Sequence, residues 1–180
     1  MKKYDCIFLD RDGTLNPDPG YINNILDFNF YDFTLPALKI MSKNNNRFCI
    51  VTNQSGVSRG LISINNLNTI NKFIREKFSE NRIPLLDIYM CFDHPDNASN
   101  SRKPGPGMFF KAKKEYNLKL SKCLMVGDTI SDMEAGKNLG MDTMLVLTGE
   151  GKKTFKNFRQ KKIISYFAEN IYEGFKQLCH

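Results

Sequence analysis

The chain has 180 residues and a formal net charge of +7; 41% of its residues are hydrophobic and 25% are charged. This composition is close to that of ordinary soluble proteins and excludes a low-complexity or membrane-spanning chain. The length suits one domain, residues 1–180, that is large enough to bury its own core. The N-terminal apolar stretch is short and carries acidic residues, so we expect no signal peptide and a cytoplasmic protein that binds no membrane.

Five cysteines are spread along the chain, at positions 6, 49, 91, 123 and 179. An odd number with no Cys-x-x-Cys spacing argues against a disulfide framework. Three of them, Cys6, Cys49 and Cys123, lie inside apolar runs. We therefore expect buried free thiols and a reducing compartment.

Short apolar runs indicate the strands of the fold. In chain order they are 6–9, 48–51, a run within 83–91, 123–126 and 143–147, and residues 163–164 are expected to begin a short edge strand. Continuous apolar runs of this length are typical of strands that are buried on both faces of a parallel sheet.

Helical candidates separate these runs, at 35–45, 64–80, 106–117, 132–139 and 167–178. Strands and helices in alternation predict an α/β fold, a three-layer Rossmann-like parallel sheet with helices on both faces. Because no insertion is large enough, we expect no large cap domain. The segment 16–34 is long for a loop, and we expect it to form a flap or a small hairpin beside the site.

Polar clusters follow three of the predicted strands, and a fourth cluster precedes the third helix. Asp10 and Asp12 follow the first strand, residues 52–56 follow the second, and Asp128 follows the fourth, whereas Lys103 comes just before the helix. Ligands of open α/β sheets bind where the carboxyl ends of the strands meet. We therefore expect these side chains to surround one site.

Crowded carboxylates at this edge of the sheet indicate a metal ion and a phosphate. Asp10, Asp12 and Asp128 would repel one another unless a cation joined them, and oxygen ligands suit Mg²⁺. Asp10 would be the nucleophile that forms an aspartyl phosphate, and Asp12 would protonate the leaving oxygen and then activate water. Thr52 and Lys103 would hold the phosphoryl oxygens by hydrogen bond and charge.

The four clusters resemble a known set of motifs. Residues 10–14, Asp-Arg-Asp-Gly-Thr, resemble the first motif of haloacid-dehalogenase-type phosphatases. Thr52, Lys103 and residues 127–132 are similar to the other three motifs, in the same order. This resemblance covers nearly the whole chain and implies a Mg²⁺-dependent phosphoric monoester hydrolase.

Longer stretches narrow the resemblance. Residues 8–16, the pattern Asp-x-Gly-Tyr at 18–21, Thr-Asn-Gln-Ser-Gly at 52–56 and Arg-Lys-Pro at 102–104 are the relevant matches. Together they are similar to the family of D-glycero-D-manno-heptose 1,7-bisphosphate phosphatases and histidinol-phosphate phosphatases. The resemblance implies a small phosphorylated sugar as partner, with a heptose bisphosphate hydrolysed to heptose 1-phosphate, and we expect a monomer.

The same resemblance assigns roles to individual residues. It implies that Asp10, Asp128 and the backbone carbonyl of Asp12 bind Mg²⁺, and that Asp132 orients the site without touching substrate. The residues that it implies to contact substrate are Asp18, Pro19, Gly20, Tyr21, Asn53, Gln54, Ser55 and Arg102.

One loop departs from the family pattern. Many members carry a structural Zn²⁺ loop before the Arg-Lys-Pro motif, with a Cys-x-His pair followed by a Cys-x-Cys pair. Here only Cys91 and a displaced His94 remain, and residues 99–102 read Ser-Asn-Ser-Arg in place of the later pair. Two ligands do not complete a tetrahedral site, so we expect no zinc and a loop held by hydrogen bonds and packing.

Three other functions fit part of the pattern. Histidinol phosphate as substrate would use the same site chemistry. A signalling receiver has a similar sheet and acidic Mg²⁺ site, but Asp12 would make its phosphoaspartate short-lived. The basic stretch 152–162 is compatible with a nucleic-acid 3′-phosphatase. Such stretches are more often solvated surface, and we expect no nucleic-acid partner.

Overall fold

The computed structural model describes residues 2–158 and 162–179. Its strands are β1 (Ile7–Leu9), β2 (Phe48–Asn53), β3 (Leu85–Cys91), β4 (Leu124–Gly127), β5 (Asp142–Val146) and β6 (Tyr166–Ala168). They form one sheet in the order β3-β2-β1-β4-β5-β6, and every pairing is parallel. The predicted parallel α/β sheet is confirmed.

The helices are α1 (Thr34–Ser42), α2 (Ile64–Glu80), α3 (Gly107–Tyr116), α4 (Ile130–Asn138), α5 (Gly151–Phe158) and α6 (Ile171–Gln177). Short 3-10 turns lie at 25–27, 95–97 and 120–122. The five predicted helices are present, and the bounds of α2 agree with its apolar repeat. In the described ranges, none of the helices is long and apolar enough to cross a bilayer.

Side chains of the strands alternate between two apolar layers. In β1, Ile7 and Leu9 contribute to one core cluster and Phe8 contributes to the other, because successive residues of a strand point to opposite faces. The first cluster includes buried residues of α1, α2 and α6, and the second includes those of α3 and α4. The three-layer arrangement follows, with helices covering both faces of the sheet.

All five cysteines are free thiols, as the sequence predicts. Cys6, Cys49, Cys91 and Cys123 are buried, and Cys179 is half-buried. Burial raises the pKa of the Cys123 thiol to about 12, so this sulfur stays protonated near neutral pH and acts as a packing group.

Two features near the C-terminus differ from the sequence prediction. The edge strand begins at Tyr166 and not at 163–164, because the Thr143 hydroxyl donates to the Ile163 carbonyl at 2.6 Å before the ladder with β5 starts. The basic stretch 152–162 contributes most of α5, and its Lys152 and Lys153 are exposed, whereas residues 159–161 lie outside the described residues. The sequence analysis predicted no helix at these eight residues.

The segment 16–34, called here the flap segment, forms no hairpin: the structure gives it a single 3-10 turn and no strand. Individual hydrogen bonds that involve side chains, and not a partner strand, hold this segment in place. Near its C-terminal end, the Thr34 hydroxyl donates to the Leu15 carbonyl at 2.7 Å. In its middle, the Asn23 side chain accepts from the Ser63 N–H at 2.8 Å, next to the start of α2. The flap segment is thus fixed at two separate places.

Replacing Phe109 by Ala should destabilise the protein by about 3–5 kcal/mol, because a large aromatic side chain leaves a cavity when it is removed from a packed core. Phe109 is fully buried and contacts the Phe8 ring edge to face at 5.0 Å between centroids. Urea unfolding measures the change. The matched control is Phe110→Ala, because Phe110 is the next residue of α3 and is 48% exposed. Equal losses for the two variants would contradict this assignment of the core.

Candidate active site

A polar cavity of about 420 Å³ opens at the carboxyl ends of β1, β2 and β4. The four residues predicted to be catalytic, Asp10, Asp12, Thr52 and Lys103, all line it, and so does Asp128. Of the residues predicted to contact substrate, those that line it are Asp18, Gly20, Tyr21, Asn53, Gln54, Ser55 and Arg102. The strand-end clusters of the sequence therefore do meet around one cavity.

A buried lysine joins two carboxylates at the base of this cavity. Lys103 Nζ lies 2.8 Å from Asp10 Oδ1 and 2.6 Å from Asp132 Oδ1, and it donates to the Val51 carbonyl at 2.7 Å. Burial alone would lower the pKa of Lys103, but the charges of Asp10 and Asp132 outweigh it and raise that pKa. The ammonium is therefore charged at any physiological pH, and it presents a fixed positive charge beside Asp10.

Asp10 is at the end of β1 and is almost fully buried. Burial, with the charges of Asp132 and Asp12 and against the attraction of Lys103, raises the pKa of Asp10 to about 7. A carboxylate in this position lacks water around it and is held by one strong donor, so its free oxygen is available for chemistry at the cavity floor.

Asp128 follows β4 and faces Asp10 across the cavity. Its Oδ2 accepts from the Glu150 N–H at 2.8 Å, and the Thr14 hydroxyl donates to Oδ1 at 3.3 Å. Gly13 is needed here, since its φ is +79° and a Cβ on it would lie 2.3 Å from Asp128 Oδ2. Burial and the charges of Asp10 and Asp132 raise the pKa of Asp128 to about 8.

Carboxylate oxygens of Asp10, Asp128 and Asp132 lie within 4.8 Å of one another, the spacing expected of metal ligands. Asp132 differs from the other two because it is already bonded: besides its ion pair with Lys103, it caps α4 by accepting from the Thr129 N–H at 3.0 Å and the Thr129 hydroxyl at 2.6 Å. Asp10 and Asp128 therefore have the carboxylates that are better placed to accept a cation.

The carboxylate of Asp12 is surrounded by donors. Arg11 donates to both of its oxygens, from Nε at 2.9 Å and from Nη2 at 2.7 Å. Asn16 Nδ2 donates to Oδ1 at 2.9 Å and Gln54 Nε2 donates to Oδ2 at 2.7 Å. The Gln54 amide also reaches the Thr52 hydroxyl at 2.9 Å. The sequence analysis assigned no role to Arg11 or Asn16.

The side-chain amide of Asn53 forms hydrogen bonds with both the backbone N–H and the backbone carbonyl of Lys103. Its Oδ1 accepts from the Lys103 N–H at 3.0 Å, and its Nδ2 donates to the Lys103 carbonyl at 3.2 Å. These two bonds fix the loop that carries Lys103 to the end of β2. Asn53 lines the cavity, but its amide is occupied in positioning Lys103.

The flap segment forms one wall of the cavity through Asp18, Gly20 and Tyr21. Asp18 Oδ1 accepts from the Gly20 N–H at 2.9 Å, a turn that places Pro19 at its exposed tip. Pro19 does not line the cavity, and its contact with substrate stays a prediction. Burial raises the pKa of Asp18 above its ordinary value.

Hydrogen bonds hold the loop between Cys91 and Arg102. Asp93 Oδ2 accepts from the Ser99 N–H at 2.8 Å, and Arg102 Nη1 donates to the Asp93 carbonyl at 3.1 Å. Hydrogen bonds from Ser99 hold the pKa of Asp93 below its ordinary value. His94 Nδ1 accepts from the Asp96 N–H at 3.2 Å. The expectation of a loop held by hydrogen bonds is thus met, while the expected absence of zinc stays a prediction.

The loop after β5 is a part of the site that the sequence analysis missed. The Thr148 hydroxyl donates to the Gly13 carbonyl at 2.6 Å, and a Cβ on Gly149 would lie 2.2 Å from Asp128 Oδ2. With the Glu150 N–H, these groups pack the loop onto Asp128 and the turn after β1. The same signal that located the other clusters was available, because residues 148–150 follow a predicted strand.

Comparisons with known proteins agree with this geometry. A HAD-hydrolase-like family model matches residues 100–170. Over 171 residues the chain is 36% identical to the D-glycero-alpha-D-manno-heptose-1,7-bisphosphate 7-phosphatase of Campylobacter jejuni, covering 93% of this chain and 98% of that protein. Over 165 residues it is 38% identical to the D-glycero-beta-D-manno-heptose-1,7-bisphosphate 7-phosphatase of Pasteurella multocida, covering 85% and 89%.

The chain belongs to the heptose bisphosphate phosphatase family of haloacid-dehalogenase-like hydrolases. A crystal structure from this family, the D,D-heptose 1,7-bisphosphate phosphatase of B. bronchiseptica, is complexed with magnesium and phosphate. It is 29% identical to this chain, with a TM-score of 0.89 over 99% of this chain and 98% of that one. The heptose bisphosphate phosphatase fold thus spans essentially the whole chain.

Replacing Asp93 by Ala should loosen the loop that carries Arg102, because the Ser99 N–H loses its acceptor. Amide hydrogen exchange of a peptide covering 93–102 should become several times faster, with the core strands unchanged. The matched control is Asp96→Ala in the same loop, whose side chain is 88% exposed. Unchanged exchange in the Asp93 variant would contradict this prediction.

The predicted absence of zinc is tested separately, by elemental analysis of the wild-type protein. Stoichiometric zinc would contradict that prediction.

Proposed function

We propose that this chain hydrolyses the 7-phosphate of D-glycero-D-manno-heptose 1,7-bisphosphate and releases heptose 1-phosphate. One observation carries the proposal: Asp10 and Lys103 form an ion pair at the base of a polar cavity, in a chain whose relatives are named as phosphatases of this substrate. The cavity is lined by charged and hydroxyl groups, as a sugar phosphate requires.

The proposed reaction has two steps. Asp10 attacks the phosphorus, and Lys103 and Thr52 stabilise the negative charge on the phosphoryl oxygens. Asp12 donates a proton to the leaving sugar oxygen, so that a neutral alcohol departs. Asp12 then takes a proton from water, which attacks the phosphorus of the aspartyl phosphate and releases phosphate, restoring Asp10.

Mg²⁺ is the cofactor that fits this site. The carboxylates of Asp10 and Asp128 and the backbone carbonyl of Asp12 would hold it, and the close spacing of buried carboxylates supports this. Burial first, and then the neighbouring carboxylates, raise the pKa values of Asp10 and Asp128 to about 7 and about 8, and a bound cation would favour their charged forms. When bound, the ion supplies positive charge that lets an anionic nucleophile approach a phosphate anion.

Substrate recognition is assigned to the cavity wall. Arg102 and the flap residues Asp18, Gly20 and Tyr21 line the cavity and would contact the sugar and its second phosphate. Histidinol phosphate remains the second candidate, because it needs the same chemistry at Asp10. A nucleic-acid substrate finds no support, since the exposed lysines of α5 do not line the cavity. A single domain, a monomeric state and a cytoplasmic location stay predictions.

A substrate panel tests this function. Wild-type protein should release phosphate from at least one anomer of heptose 1,7-bisphosphate, and mass spectrometry should identify heptose 1-phosphate as the product. Asp10→Asn should abolish turnover while circular dichroism stays native, because it keeps the shape and removes the nucleophilic charge. Asp32→Asn, an exposed aspartate, is the matched control. Cleavage of histidinol phosphate with none of the heptose bisphosphates would overturn the proposal.

Magnesium should stabilise the protein more near pH 8.5 than near pH 5. The pKa values of Asp10 and Asp128 are raised to about 7 and about 8 from an ordinary value of 3.8. Stability from these protonated groups is therefore complete below about pH 4 and is lost as pH rises through 7 and 8. Mg²⁺ must displace the protons at low pH but not at high pH.

Thermal unfolding with EDTA or with excess Mg²⁺, at both pH values, measures this difference. An ion at ten times its dissociation constant adds about 1.4 kcal/mol at the higher pH. Asp128→Asn should remove most of the gain, whereas Asp32→Asn should keep it. An equal gain at the two pH values would contradict the assignment of these carboxylates as ligands.

A further inference from the structure

The side chain of Arg11 curls back onto the next residue. It is only 1% exposed, and its guanidinium binds both oxygens of Asp12 through Nε at 2.9 Å and Nη2 at 2.7 Å. The ring of Phe28, in the flap segment, lies over the guanidinium with its centroid 6.0 Å from Cζ. Arg11 is thus enclosed behind the cavity and reaches it only through Asp12.

Stability does not account for this arrangement. Removing a guanidinium from water is costly, and a buried ion pair is often no more stabilising than apolar residues of similar volume. Arg11 Nη1 is buried and has no hydrogen-bond partner in the described parts of the chain, which adds to the cost. A buried pair with these properties is better explained by the geometry that it imposes on Asp12.

Asp12 receives four N–H groups from three side chains. Arg11 supplies two of them, Asn16 donates to Oδ1 at 2.9 Å, and Gln54 donates to Oδ2 at 2.7 Å. The Asp12 side chain is nevertheless 18% exposed, and Asp12 lines the cavity. Its carboxylate therefore has a fixed position, and its exposed part opens onto the cavity.

We propose that Arg11 is a positioning residue that fixes the Asp12 carboxylate for proton transfer to the leaving oxygen. This inference rests on the proposed function, in which Asp12 is the acid. As the proton leaves, the negative charge that develops on Asp12 is stabilised by N–H groups that point at its two oxygens. Arg11 acts through Asp12 and does not itself contact the substrate.

Leaving-group dependence separates this role from a structural one. A sugar phosphate loses a poor leaving group and needs the acid, whereas 4-nitrophenyl phosphate loses a far more acidic phenol and does not. The quantity to compare is kcat/KM, because it reports only the steps up to the first irreversible loss of the leaving group. Hydrolysis of the aspartyl phosphate is the same step for both substrates, and it does not affect this comparison of kcat/KM values.

Arg11→Met, an apolar residue of similar length, should lower kcat/KM for the sugar phosphate at least tenfold more than for 4-nitrophenyl phosphate, since general acid catalysis is worth about 10²–10⁴-fold. The difference between the two substrates in the loss of kcat/KM is called here the split. Arg11→Lys should show a smaller split, because it keeps the charge but loses the two-point contact. If Arg11→Met does not fold, Arg11→Lys provides the test. The poor-leaving-group substrate is whichever sugar phosphate the wild type cleaves best.

Asp12→Asn is the reference variant, and it should show the full split. The inference is overturned if Arg11→Met lowers both kcat/KM values equally, or neither, while Asp12→Asn retains its split. If Asp12→Asn shows no split, the acid role of Asp12 fails and the inference fails with it. If the wild type cleaves no heptose bisphosphate, only the proposed substrate is lost, and the comparison on another sugar phosphate still stands.

Discussion

One buried ammonium group holds the cavity together. Lys103 comes from the loop before α3, yet its Nζ lies between Asp10 at the end of β1 and Asp132 in the first turn of α4. Removing one partner from such a buried charge cluster typically costs about 3–5 kcal/mol, because the remaining charges are left unpaired. Asn53 fixes the backbone of the same lysine from β2. The ends of β1 and β2, the start of α4 and the loop before α3 are thereby tied to one point.

The strand order explains why these residues meet there. β1 lies between β2 and β4, so the chain leaves β1 and crosses over in opposite directions to build the two halves of the sheet. At such a switch point the loops on either side turn away from each other and leave a crevice at the carboxyl edge. Asp10 is the residue that directly follows β1 at this point. The fold thus places the proposed nucleophile at the one position that both halves of the sheet surround.

Much of this was predictable from the sequence, for a physical reason. Apolar runs located the strands, and parallel pairing alone then brings Asp10, Thr52 and Asp128 to one edge. What the sequence did not reveal depends on side-chain direction. Nothing in the order Asp-Arg-Asp indicates that Arg11 turns inward to its neighbour, because both residues follow β1 and lie where no regular periodicity sets the direction of a side chain. The loop after β5 was overlooked because it supplies an N–H group and space, and no charged side chain, to the site.

The flap segment has a consequence for how the site handles its ligands. It is fastened near Leu15 and again, through Asn23, at the loop before α2, and its Phe28 packs over the enclosed Arg11. These contacts are made within the chain itself, so the wall has its shape before a substrate enters. Selectivity then depends on the shape and charge of this preformed opening. In a phosphatase of this kind, molecules that fit the open cavity react there and leave by the route they entered.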